Sequence, residues 1–253
     1  MYKIINKDIL DGLNEVPQAS IDLIFIDPPY NLKKQYADNI TDSWSNESEY
    51  LKWLFLWLDI ALKKLKPLGS LYIMNTTQNM PYIDIHLRQL MHIQSRIIWF
   101  YDSSGVQAKK YFGSLYEPIL FCTNHKNKYT FNSNDILIKT KTGAERGLID
   151  YRKKPPTSYN KTKVPGNVWC FPRVRYRMNE YVNHPSQKPQ SLLERIVKAS
   201  SNPNDTVLDL FAGSFSLGFV CQKLQRNYIG IELSSTYCNE AKKKFSVPDK
   251  SKT

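Results

Sequence analysis

The sequence predicts an α/β fold, a doubly wound and mostly parallel sheet carrying an inserted basic lobe. Three observations lead to it. Apolar runs of strand length alternate with segments of helical period, the pattern of βαβ units. Four of those runs end at or shortly before an acid, namely Asp8, Asp27, Asp209 and Glu232. Open sheets of this class form their binding crevice just beyond the carboxyl ends of the strands. Finally, the alternation breaks between about residues 102 and 183, where the text turns polar, basic and turn-rich.

Taken in order, residues 2–6 read as a strand and residues 9–14 as a short helix. Residues 21–27 form an apolar run that the Pro28-Pro29 pair must stop, because neither proline can donate to a sheet ladder. Residues 31–45 lack periodicity and read as a mobile loop beside Asp27. Residues 47–66 are an amphipathic helix whose Trp53, Leu54, Trp57, Leu58, Ala61 and Leu65 read as core packing. Pro67 and Gly69 are expected to end that helix, with a strand at residues 70–74, a helix at 81–91 and strands at 95–101 and 117–122. Regular structure resumes with a helix at 189–199, a strand at 206–210, a helix at 217–224, a strand at 227–232 and a helix at 234–245. Residues 1–253 are expected to form one domain with residues 102–183 inserted and a frayed tail at 246–253.

Composition narrows the function classes. The net charge of +12 is unevenly placed. Residues 1–100 hold ten Lys/Arg against eleven Asp/Glu, residues 101–183 fifteen against six, and residues 184–253 ten against six. A basic middle between near-neutral flanks suits a polyanion. Candidate contacts are Lys109, Lys110, Arg152 and a row of Arg173, Arg175 and Arg177, which as a strand would share one face. No apolar run approaches the roughly 20 residues of a membrane span, and no secretory signal is visible, so the expected compartment is the cytoplasm. The four cysteines form no close pair and the four histidines no ligand cluster. Neither disulfides nor a metal site is expected, and Cys170 reads as a packing residue.

Two motifs carry the chemistry. In Asp27-Pro28-Pro29-Tyr30, a carboxylate and the Pro28 carbonyl are acceptors suited to an exocyclic amino group, and Tyr30 offers a flat face to a base. In Asp209-Leu210-Phe211-Ala212-Gly213-Ser214, small residues at a strand-to-helix turn let the backbone approach a nucleoside. Glu232 can accept from ribose hydroxyls. The turn lacks the full glycine set of a pyrophosphate site, so a ligand without phosphate fits better. Before the helix at 189, His184-Pro185-Ser186-Gln187-Lys188-Pro189 offers a cation and a helix amino end to a carboxylate.

Together these motifs resemble the β-type amino-group DNA methyltransferases, in which the catalytic motif, a recognition region and the cofactor motif follow in that order. The resemblance spans nearly the whole chain. It implies a Rossmann-like methyltransferase fold and transfer of a methyl from S-adenosylmethionine to adenine N6 at a short site in double-stranded DNA, with the target base flipped out. It assigns Asp27, Pro28, Pro29 and Tyr30 to catalysis. It assigns Asp8, Asp27, His184, Gln187, Lys188, Asp209, Phe211, Ala212, Gly213, Ser214 and Glu232 to the cofactor. Two positions depart from the family pattern: Leu210 stands where proline is common and Phe215 where glycine is common. Alternatives stay open: cytosine-N4 methylation, RNA or protein-glutamine methylation, and a non-catalytic cofactor-binding regulator. A homodimer, and a separate restriction enzyme as partner, are expectations carried by the resemblance alone.

Overall fold

The computed structural model describes residues 1–101 and 109–245, so the expected tail and part of the insert lie outside the described residues. The chain opens with β1 (Tyr2–Asn6), α1 (Ile9–Asn14) and β2 (Ile21–Ile26). It continues through α2 (Glu47–Leu62), β3 (Leu65–Met74), α3 (Met80–Leu90), β4 (His92–Phe100) and β5 (Tyr116–Thr123). Short strands follow: β6 (Ile138–Lys139), β7 (Ile149–Asp150), β8 (Thr157–Ser158), β9 (Thr162–Lys163) and β10 (Val168–Cys170). The last third holds α4 (Gln190–Ser200), β11 (Thr206–Asp209), α5 (Ser216–Lys223), β12 (Asn227–Glu232) and α6 (Ser235–Phe245).

Eight strands form one sheet in the order β1-β12-β11-β2-β3-β5-β4-β10, and β5 alone runs against the rest. Both faces are covered, which explains why β2 is apolar throughout rather than alternating. Ile24 and Ile26 meet Leu13, Leu54 and Trp57 from α1 and α2, together with Ile83 and Leu87 from α3. Leu23 and Phe25 face the layer of α4, α5 and α6, built on Leu192, Ile196, Leu217, Val220 and Cys238. The order in which strands are added reverses between the parallel neighbours β11 and β2, whose register pairs Asp209 with Phe25. The crevice of a doubly wound sheet lies at such a switch point.

The structure corrects four expectations. Helix α2 stops at Leu62, and β3 begins at Leu65 with Pro67 and Gly69 inside it. The register steps from Ile21–Leu65 to Leu23–Ser70, so residues 66–69 bulge out and Pro67 is not asked to donate. Residues 173–177 form no strand: Arg173 packs over the Tyr101 ring at 4.9 Å, while Arg175 and Arg177 are exposed and Arg177 is left-handed at φ 72°. Cys170 is exposed rather than packed, because it ends the edge strand β10.

The fourth correction concerns residues 31–45, which are tied down rather than free. The buried Asp42 carboxylate accepts from the backbone N–H groups of Tyr30 (3.3 Å), Leu32 (3.1 Å) and Lys34. Asp38 accepts from the hydroxyls of Ser234 and Thr236 and from the Thr236 N–H. The segment is thereby strapped to the start of α6. No helix among the described residues is long and apolar enough to cross a membrane.

Candidate active site

Beyond the ends of β1, β2, β11 and β12 lies a cavity of ≈ 260 Å3, lined among others by Asp8, Asp27, Pro28, Pro29, Asp209 and Glu232. Residues 211–214, His184 and Lys188 line it too, so two motifs far apart in sequence meet at one opening. The Asp27-to-Tyr30 turn is held by groups from three directions. Tyr50 donates its hydroxyl to the Pro29 carbonyl (2.9 Å), Asn79 donates to the Tyr30 carbonyl (3.4 Å), and Asp42 takes the Tyr30 N–H. The Pro28 carbonyl has no partner among the described residues.

Around Asp27 the charges are closely packed. Tyr30 donates its hydroxyl to Oδ1 of Asp27 at 2.5 Å, and Lys188 Nζ stands 2.6 Å from Oδ2. Burial, reinforced by Asp27 and Glu117, raises the Tyr30 phenol well above its ordinary range, so it stays a donor. The Tyr30 ring is 7% exposed, with Lys188 Nζ 5.4 Å from its centroid. Its hydroxyl is therefore committed to Asp27 and one ring face is covered by Lys188, which narrows the stacking face that the sequence suggested.

Lys188 and the start of α4 were expected to receive a ligand carboxylate. Both are committed within the chain: Lys188 to Asp27, and the Gln190 N–H to Glu180 at 2.7 Å. Gln187 stands off the larger cavity. It bonds the Glu180 carbonyl, the Val182 N–H and the Ser216 hydroxyl, pinning residues 180–187 to the start of α5.

On the nucleoside side, Glu232 accepts from the N–H groups of Gly213 and Ser234, both at 2.7 Å, and burial raises its carboxyl. Each carboxylate oxygen keeps a lone pair for a ribose hydroxyl. Asp8 caps α1 through the Leu10 N–H at 3.0 Å and stands at the rim of the same cavity. Gly213 lies at φ 46°, and a Cβ there would come within 2.8 Å of His184 Nε2, so glycine is required twice over. His184 is held neutral, down to about 3, by burial and by nearby Lys188 and Lys34. It therefore adds no charge beside a cationic ligand. These features fit a sulfonium nucleoside.

Both departures from the family pattern are accommodated. Leu210 uses its N–H toward the Phe25 carbonyl at 3.4 Å, a contact no proline could make. Phe215 adopts the left-handed conformation that glycine favours, at φ 57° and ψ 22°, and buries its ring completely.

Sequence reasoning missed several residues of the site. Trp53, assigned to the core, lines the cavity with Trp44 and packs against Phe211 at 5.8 Å. Tyr36 and Tyr237 close another side. Glu117 reaches Tyr30 and Lys188 from β5; its one sequence signal is an acid at the head of an otherwise apolar strand. Of the basic candidates, Lys109, Lys110, Arg175 and Arg177 are exposed away from these contacts. Arg152 is exposed as well, though it pairs with Asp150 at 2.8 Å.

Comparison with known proteins agrees with this geometry. A family described as DNA methylase matches residues 21–243. YhdJ, a DNA adenine methyltransferase of Escherichia coli (strain K12), is 54% identical over 244 residues, covering 96% of this chain and 82% of that protein. Type II methyltransferase M1.MboII of Moraxella bovis is 38% identical over 253 residues, covering 94% of each. Among solved structures, a complex of M1.HpyAVI with SAM superposes with a TM-score of 0.65 at 24% identity, covering 96% of this chain and all (100%) of that one. The cytosine-N4-specific PvuII DNA methyltransferase gives 0.72 at 17%, covering 98% and 89%, a likeness of fold. With residues 27–29 and 211–214 facing one crevice, and with matches of this extent, the chain belongs to the DNA methylase family.

Proposed function

We propose that the protein methylates adenine N6 at a short site in duplex DNA, by flipping the base and transferring the methyl in one in-line displacement. The observation that carries this reading is the pair of acceptors at the cavity: the Asp27 carboxylate and a Pro28 carbonyl unclaimed by any described residue. An adenine amino group has two hydrogens to give, and a paired base cannot offer both. With one hydrogen on Asp27 and the other on Pro28, the nitrogen lone pair is directed at the methyl. S-adenosylmethionine supplies that methyl on a sulfonium when bound. Trp44, Trp53 and Phe211 form an apolar wall, and the neutral His184 adds no charge to that of the Lys188 ammonium, which is paired with Asp27. The Asp27 carboxylate would stabilise positive charge developing on the amino nitrogen and favour loss of its proton once the methyl is transferred.

DNA is the expected partner of the basic surface. Pairing of two copies, a separate endonuclease chain and a cytoplasmic setting extend the same reading. The test is transfer of labelled methyl to plasmid DNA, followed by nucleoside digestion and mass analysis. Label on adenine N6 supports the reading, label on cytosine N4 redirects it, and label on RNA or protein alone ends it. Asp27→Ala is expected to lower transfer by about 10²–10³. A variant at the wild-type rate would reduce the turn to a structural element.

A further inference from the structure

Methyl transfer as read above uses Asp27, yet Asp27 is one of two carboxylates at the same pair of donors. Tyr30 gives its hydroxyl to Asp27 at 2.5 Å and stands 3.2 Å from Oε2 of Glu117. Lys188 Nζ lies 2.6 Å from Asp27 and 3.7 Å from Glu117. The other Glu117 oxygen accepts from the Tyr101 hydroxyl at 3.3 Å. Lys188 and both carboxylates are largely buried, with side-chain exposures of 6% for Lys188 and 15% for Asp27 and Glu117. Glu117 also faces a second cavity of ≈ 100 Å3, lined by Arg173, Tyr181 and Trp99. That cavity shares His184, Ser186 and Lys188 with the larger one.

We infer that Glu117 is a further positioning residue of the transfer reaction, dividing the Tyr30 hydroxyl and the Lys188 ammonium with Asp27 so that Asp27 keeps acceptor strength for the target amino group. A carboxylate closed onto a lysine with no competitor is a weaker acceptor, because its charge is already compensated. Glu117 draws part of that compensation away. In direct ion-pair contact two carboxylates share one ammonium, with Arg173 and Lys34 standing farther out, so Asp27 is not fully compensated by Lys188. The sequence separation of 87 residues between Tyr30 and Glu117 is bridged by the reversed direction of β5, which starts at this rim.

The charge on Lys188 supplies the readout. Burial alone would lower it, but Asp27 and Glu117 outweigh burial and hold it above its ordinary range. The other groups facing this cluster are Tyr30, Tyr101, Arg173, His184 and, from the strapped loop, Lys34. Removing the Glu117 charge takes away a stabilising neighbour, so Lys188 must lose its proton at lower pH.

The experiment compares Glu117→Gln and Glu117→Asp with the wild type by methyl transfer to plasmid DNA from neutral to alkaline pH, with melting curves and cofactor titrations in parallel. Gln keeps the shape and loses the charge, whereas Asp keeps the charge and loses reach. The expected result is a kcat for Glu117→Gln lower by up to about 100-fold, unchanged cofactor affinity, and an alkaline limb moved to lower pH. Glu117→Asp is expected to lose rate while keeping the wild-type limb. A wild-type rate in Glu117→Gln, or a lower rate with an unmoved limb, overturns the inference. Should Glu117→Gln fail to fold, a displaced limb in Glu117→Asp overturns it alone. A wild type that labels no nucleic acid would instead sink the methyl-transfer reading, and this inference with it.

Discussion

Asp209 is a carboxyl group almost sealed from water, 3% exposed, with the Tyr228 hydroxyl donating to it at 3.1 Å. Burial, with Asp27 and Glu232 nearby, pushes it up to about 8. An acid raised in the folded state keeps its proton there after the unfolded chain has lost it, at about 4. The stability it confers is therefore complete below about pH 4 and is lost as pH rises through about 8. The melting temperature of the ligand-free protein is expected to decline across that window, and Asp209→Asn to flatten the decline. Equal slopes in the two proteins would show that Asp209 titrates normally. That Asp209 ends a strand at the crevice was legible in the sequence. Its protonation was not, because it depends on burial and on Asp27 and Glu232 brought close by the fold, which together outweigh the opposing hydrogen bond from Tyr228. Glu117 was illegible for a related reason: one acid before an apolar run carries no hint of a tyrosine 87 residues away.

The turn from β11 into α5 is where an element tests its own residue choice. Phe215 combines a left-handed backbone, which costs a side chain about 1–2 kcal/mol, with a fully buried ring beside Tyr228 and Phe245. Removing a buried phenylalanine ring costs about 3–5 kcal/mol, so both Phe215→Ala and Phe215→Gly are expected to destabilise. Glycine should nonetheless equal or exceed alanine in urea denaturation, the reverse of their usual helical ranking. Alanine clearly above glycine would mean that the backbone strain is absent. At this scale the sequence is most legible where one signal dominates, as in β2, bounded by prolines, and β12, whose limits match the apolar run at 227–232. It misleads where a breaker is absorbed: Pro67 and Gly69 sit inside β3 because its neighbour's register lets residues 66–69 bulge. The two-residue ribbons β6–β9 and β7–β8 are too short to leave a periodic trace.

Across the whole molecule, charge is separated from chemistry. Lys109, Lys110, Arg175 and Arg177 are exposed, whereas Arg173 turns inward to Tyr101 and the edge of the site. Affinity for duplex DNA is expected to fall steeply between about 50 and 200 mM salt. Alanine at Arg175 or Arg177 should reduce the logarithmic salt slope by about one each, and alanine at Arg173 should lower turnover instead. Filter binding at several salt concentrations checks this, and a slope unchanged in both exposed variants would rule these arginines out as phosphate contacts. The antiparallel course of β5 has a consequence for how such a protein can diversify. The β4–β5 ladder runs up to the pair Phe100–Tyr116 and is continued by the Tyr101 N–H, which donates to the Leu115 carbonyl at 2.9 Å. The two strand ends are thus held together at the crevice rim beside Glu117 by their own backbone bonds, so the position of Glu117 is set by the ladder rather than by what joins the strands. An edit to the connecting segment therefore need not shift the carboxylate that neighbours Asp27.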